Sequence, residues 1–192
     1  MNDERRPAAS PQRRMGLILM TPLVAFLGLA TVLGFSLWRG HPSLAKVDAT
    51  RPLPDFVLQP LDPGTPTLSK RDLAGQVSMI NVFASWCPSC AEEQPMLMQL
   101  ADSQMVPIYG VAWLDPPEKT VAWLQEHGDP FRRVGEDTSG RLGIDLGVTG
   151  APETFIVDRK GQIRYRQIGP ITGDTWRNVL QPLIARLQSQ GN

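Results

Sequence analysis

The chain has 192 residues, with 19 lysines and arginines against 19 aspartates and glutamates, so its formal net charge is zero. That length suits one ordinary domain with a tail. A neutral balance with no basic stripe gives a nucleic-acid partner no electrostatic support.

Charge is nonetheless unevenly placed along the chain. Residues 1–14 carry Arg5, Arg6, Arg13 and Arg14 against Asp3 and Glu4, and residues 15–38 then run for 24 positions without one ionisable side chain. At about 1.5 Å per helical residue, that stretch can cross a hydrocarbon core of about 30 Å. It shows no polar face, unlike a globular surface helix. Pro22 lies near its start, where membrane helices tolerate a break, and Trp38 suits the far interface. The arginine excess on the N-terminal side predicts residues 1–14 in the cytoplasm, an anchor at 15–38 and residues 39–192 outside. The competing reading is a cleaved signal, for which Ser43-Leu44-Ala45 is a weak processing site. Residues 39–53, with Pro42 and Pro52, read as an extended tether, and the soluble domain is expected at 54–192.

Within that domain, strands are expected at Phe56–Leu58, Val77–Ala84, Val106–Trp113 and Phe131–Val134. A hairpin is expected from Thr154–Val157 and Gln162–Gln167 around Asp158-Arg159-Lys160-Gly161. Val77–Ala84 is nearly all apolar, which places it centrally. Helices are expected at Ser89–Ala101, Pro116–His127, Thr138–Leu146 and Thr172–Gln190. The last repeats Trp176, Val179, Leu180, Leu183 and Leu187 at helical spacing. The alternation predicts an α/β fold: a mixed sheet flanked by helices on both faces.

Every cysteine of the chain lies in "NVFASWCPSCAEEQP", residues 81–95. Cys87 and Cys90 stand where a strand passes into a helix, with Trp86 before them and Pro88 at the first helical position, where a missing N–H costs nothing. A sulfur at the helix start meets unpaired N–H groups and the positive end of the helix dipole, which favour thiolate. Cys90, one turn on, faces inward within disulfide reach. The arrangement offers an exposed nucleophile, Cys87, and a resolving thiol, Cys90. Three other uses compete. A structural disulfide closing so small a loop is a poor staple. Zinc needs four ligands, whereas the two histidines, His41 and His127, are distant in sequence. Two thiolates can also carry a soft copper ion.

"FASWCPSC" after an apolar strand, Pro95 beyond it, and "GVTGAPETFIVD" downstream resemble the thioredoxin superfamily. With "GQIRYRQIGPIT", they resemble its membrane-anchored thiol–disulfide proteins of cytochrome c maturation, the CcmG/DsbE type. The resemblance spans residues 54–187. It implies a thioredoxin-like fold, a redox-active Cys87–Cys90 disulfide, and a cis bond from Ala151 to Pro152 facing that disulfide. It also assigns acidic positions to Glu93 and Glu153. Asn81 departs from ordinary thioredoxin, where a buried aspartate moves protons. Asparagine cannot titrate, so Glu93 or Glu153 is expected to serve Cys90, whereas Glu92 reads as surface.

The resulting expectation is a protein-disulfide reductase without metal or cofactor. In that family, the activity keeps the haem-attachment cysteines of apocytochrome c, or a maturation partner's thiols, reduced. It implies a bacterial inner-membrane protein with a periplasmic domain, recharged by a membrane thiol–disulfide transporter that brings electrons from the cytoplasm. The alternatives are a general extracytoplasmic thiol oxidase or isomerase, and a non-enzymatic copper- or apocytochrome-binding protein.

Overall fold

A computed structural model describes residues 22, 26–32 and 51–190. Residues 26–32 are helical and belong to a unit separate from the domain that follows. Two thirds of the expected span 15–38, the residues before it and positions 39–50 lie outside the described residues. Among the described residues no helix is long and apolar enough to cross a membrane.

The domain is built on one mixed sheet. Its strands are β1 (Arg51–Pro52), β2 (Val57–Pro60), β3 (Leu68–Ser69), β4 (Ser78–Phe83), β5 (Ile108–Trp113), β6 (Arg133–Asp137), β7 (Glu153–Val157) and β8 (Gln162–Ile168). They lie in the order β1-β8-β7-β4-β5-β6-β2-β3. Strand β4 is buried at all six positions, as its nearly all-apolar run predicts, and pairs parallel with β5 and antiparallel with β7. The helices are α1 (Pro88–Ser103), α2 (Pro117–His127) and α3 (Arg141–Leu146). The closing helix α4 begins at Gly173–Thr175, widens through a π turn at Trp176–Leu180 and continues as Gln181–Ser189.

Alternation along the strands divides the core into two layers. Met79, Phe83 and Ile156 face Leu97 and Leu100 of α1, Trp123 of α2 and Trp176, Leu180 and Ile184 of α4. Ile80, Val82, Phe155 and Val157 face the opposite layer, with Leu142 and Leu146 of α3 and Leu53, Leu58, Leu68 and Leu73. The period of two in a strand makes this partition, and it later separates two carboxylates.

Several boundaries differ from the sequence expectation, and four of them bear on the architecture. The domain begins before residue 54, because Arg51–Pro52 pairs with Ile163 and Gln162, and Leu53 is fully buried. The first expected strand starts one residue later and finds a short antiparallel partner, β3. The strand expected at Phe131–Val134 sits at Arg133–Asp137: register with β5 starts at Tyr109↔Arg133, and Phe131 stacks on Phe83 instead. Helix α3 starts at Arg141 because the Asp137 carboxylate accepts the Leu142 and Gly143 N–H groups and Gly140 takes the cap. The hairpin turn does follow its expected residues. The Asp158 carboxylate accepts N–H groups from Lys160 and Gln162, each at 2.9 Å.

Gly110 of β5 shows how tightly the sheet meets the aromatic layer. A Cβ there would lie 2.9 Å from Phe131 Cγ and 3.0 Å from Phe83 Cε1, and those rings are stacked with centroids 4.7 Å apart. Gly110→Ala should therefore cost about 1–3 kcal/mol through forced displacement of the ring pair. Urea unfolding would show it as a lower midpoint at unchanged slope.

Candidate redox site

The site grows from the end of β4. Because that strand is covered on both faces, the chain leaves its end through Ala84–Trp86 and enters α1 directly. Cys87 is the N-cap residue, in extended backbone, and Pro88 occupies the first helical position. The Cys90 N–H donates to Cys87 Sγ at 3.2 Å, so a helix-start amide does point at this sulfur. Cys87 and Cys90 form a disulfide, with Cα atoms 5.4 Å apart.

The exposed nucleophile expected from sequence needs correction. In the disulfide form Cys87 is only 4% exposed, against 1% for Cys90. The cause is the loop before β7. The Ala151–Pro152 peptide bond is cis, and the Ala151 carbonyl oxygen lies 3.3 Å from Cys87 Sγ. What does face outward is Trp86, 53% exposed. Its indole N–H donates to the Leu114 carbonyl at 3.2 Å, and its ring lies 6.1 Å from that of Trp113. Pro88 beside the disulfide is also exposed.

Behind the cysteines lies a buried polar cluster. Asn81 is fully buried on the α1 side of β4, and its amide donates to Glu93 Oε1 at 2.8 Å and Thr154 Oγ1 at 3.0 Å. Glu93 is one turn beyond Cys90 on α1 and only 2% exposed, and its second oxygen accepts the Ile171 N–H at 2.8 Å. Burial pushes its carboxyl from the usual 4.5 up to about 7, against the Ile171 and Asn81 hydrogen bonds, which favour the charged form. A carboxyl in that range gains and loses a proton near neutrality. Thr154 and the Ile171 amide were invisible in the sequence, since each lies more than 70 residues from its partner.

Glu153 takes a different part. It is fully buried, but it sits on the strand face opposite Thr154 and Asn81. Arg166 clamps it with two bonds, Nε to Oε2 at 2.7 Å and Nη2 to Oε1 at 2.9 Å. Thr149 adds its N–H at 2.9 Å and its hydroxyl at 2.7 Å. These donors engage both oxygens and tie the loop 149–152 to β8. Of the two carboxylates expected as alternatives to serve Cys90, Glu93 is therefore the one on the face of the thiols, and Glu153 instead anchors the loop carrying the cis-proline. Glu92 is exposed.

His127 has no part in the site. Its ring stacks on Trp123 at 4.7 Å, and Nδ1 lies 3.0 Å from the Trp123 carbonyl at the end of α2. His41 lies outside the described residues. Among the described residues no three metal-binding side chains gather.

The titration of Glu93 carries a stability signature. With a folded value near 7 and an unfolded value near 4.5, the folded protein holds the extra proton between those limits. Its contribution is therefore full below about 4.5 and is lost as pH rises through about 7, a change on the order of 3 kcal/mol. Glu93→Gln should flatten this fall in urea midpoints between pH 5 and 8. The same slope in wild type and variant would refute the buried titration.

Comparison with known proteins agrees with this geometry. Residues 48–181 match the Redoxin family. The chain is 41% identical to the thiol:disulfide interchange protein DsbE of Allochromatium vinosum, over 88% of this chain and 93% of that one. It is 38% identical to DsbE of Pseudomonas aeruginosa, over 88% and 94% of the two chains. In fold it is similar to a crystal structure from Chlorobium tepidum, with TM-score 0.63, 24% identity, and 74% and 99% of the two chains covered. It is likewise similar to a secreted thiol-disulfide isomerase from Corynebacterium glutamicum, with TM-score 0.57, 19% identity, and 69% and 85% covered. A strand-end disulfide at a helix start, a facing cis-proline and relatives matched over nearly their whole length place this chain in the Redoxin family, with a thioredoxin-like fold and DsbE-type thiol:disulfide interchange proteins as its kin.

Proposed function

We propose that this thiol–disulfide oxidoreductase works as a reductase on the outer side of a bacterial inner membrane, where it keeps the haem-attachment cysteines of apocytochrome c, or a maturation partner's thiols, reduced. The observation that carries the reading is the disulfide at the start of α1 with a buried carboxyl, titrating near neutrality, one turn behind it. In the reduced protein the Cys87 thiolate attacks a substrate disulfide, and one substrate sulfur leaves as thiolate. Cys90 gives its proton to Glu93 and attacks Cys87 Sγ. The second substrate sulfur leaves, and the Cys87–Cys90 disulfide forms as two electrons pass to the substrate. Glu93 then returns its proton to one departing thiolate, and the other takes a proton from water.

Direction follows from balance. A helix-start amide favours the Cys87 thiolate, whereas the buried Glu93 carboxyl, when charged, opposes a second negative charge nearby. A thiolate that is only modestly favoured leaves the reduced pair able to give up its electrons. Recharging calls for a membrane thiol–disulfide transporter that draws on cytoplasmic electrons, since the exterior oxidises thiols. The anchor rests on the run at 15–38 without one ionisable side chain and on the four arginines before it.

Reduced protein near neutral pH should be alkylated first at Cys87, and Cys90→Ser should hold its substrate as a mixed disulfide for identification by mass spectrometry. Equilibration with a glutathione couple discriminates the reductase from an oxidase or isomerase: a pair more oxidising than glutathione would contradict the assigned direction. Fusion after residue 50 of a reporter active only outside the cytoplasm should give signal in a membrane-pelleting protein. A soluble mature species starting at Lys46 would instead show cleavage at Ser43-Leu44-Ala45.

A further inference from the structure

A second buried carboxylate touches the active-site turn from the side away from Glu93. Asp115 follows β5 and is 1% exposed. Its Oδ2 accepts the Ser85 N–H at 2.8 Å and the Thr120 hydroxyl at 2.7 Å, and its Oδ1 accepts the Ser85 hydroxyl at 2.7 Å. All three donors are neutral. Among the described residues no lysine or arginine pairs with it. A buried carboxylate without a cation is costly, so its place in a fold calls for a reason.

Its neighbours indicate one. Ser85 lies two residues before Cys87, and Leu114, directly before Asp115, accepts the indole N–H of Trp86. Leu114 has a left-handed backbone, with φ of 50°, which a branched residue adopts only when its surroundings impose it. The Leu114 N–H is held in turn by the Asp137 carbonyl at 3.0 Å. The segment 114–115 thus grips 85–86 through three hydrogen bonds, two from Ser85 and one from Trp86, and the next residue in that turn is the cysteine.

We propose that Asp115 is a positioning residue for disulfide exchange: its carboxylate fixes the Ser85–Trp86 turn that delivers Cys87, and its uncompensated charge disfavours the Cys87 thiolate. Other charged residues lie on the neighbouring helices. Glu93 and Glu92 lie on α1, the first buried and the second exposed, and Glu118 and Lys119 are exposed on α2 with opposite signs. Of these Glu93 is the other buried charge, and it sits on a different element from Asp115. The helix start therefore works against two carboxylates, one behind Cys90 and one beneath the turn before Cys87. This deepens the reductase reading and rests on Cys87 as nucleophile.

The test titrates each cysteine of the reduced full-length protein by site-resolved alkylation. Asp115→Asn keeps the shape and removes the charge. It should lower the Cys87 titration by about one unit and shift the equilibrium with glutathione about threefold or more toward the reduced protein. Thr120→Val removes one neutral donor while the charge remains, so it should move the Cys87 titration upward. A merely structural Asp115 would alter melting without moving either titration. An unchanged Cys87 titration in Asp115→Asn, or an unchanged or lowered one in Thr120→Val, overturns the role. If Asp115→Asn does not fold, Thr120→Val decides alone. Site-resolved labelling keeps the two readings apart, because wild-type labelling that starts at Cys90 would sink the nucleophile assignment, not the effect of Asp115.

Discussion

The complete burial of β4 is the constraint from which the rest follows. A strand covered on both faces has no solvent-facing side, and here it ends at Phe83 and reaches α1 at Pro88 through one short turn. The first residue past that turn lands on a helix N-terminus, where unpaired amides face whatever side chain stands there. In this chain it is a sulfur, with Pro88 holding the helix start. The chemistry of the site is thus a consequence of how a central strand hands over to a helix. Sheet neighbours then supply the surroundings: β7 brings the cis-proline loop from one side and β5 brings Leu114 and Asp115 from the other.

Those surroundings act mainly through electrostatics. Near the disulfide the described residues place carboxylates and neutral hydrogen-bond donors, while the buried arginine clamp, Arg166 on Glu153, is on the far face of the sheet. A thiolate there is supported by the helix start and opposed by buried acids, and both influences act in a medium of low dielectric. The outcome is a pair whose redox preference depends on small free energies, since about 1.4 kcal/mol corresponds to about 30 mV for two electrons.

Glu93 and Glu153 illustrate how similar residues acquire unlike roles. Both are acidic, both are buried, and both lie close in sequence to the disulfide or its facing proline. One has only an amide and a backbone N–H for company, and burial raises it toward neutrality. The other has a bidentate guanidinium and a threonine, and serves as an anchor for the loop. The difference comes from strand parity: Thr154 shares a face with Asn81, so Glu153 must point away.

Local information was enough for much of this. The order of elements, the central strand, the strand-to-helix junction at Cys87 and the Asp158 hairpin could be read directly, because each depends on periodicity or turn chemistry within a few residues. The pairing of Arg51–Pro52 with β8 could not, nor could the shift of β6 to Arg133–Asp137, since register is settled by partners remote in the chain. The same holds at the site. Sequence alone determined the pair of thiols, their helix-start position and the non-titrating Asn81. Tertiary structure alone decided which carboxyl lies behind the thiols, that Cys87 is covered by the Ala151 loop, and that Ser85 and Trp86 are gripped by residues 114–115. The physical reason is that burial and hydrogen bonding depend on which distant strands meet, whereas capping and periodicity depend only on neighbours along the chain.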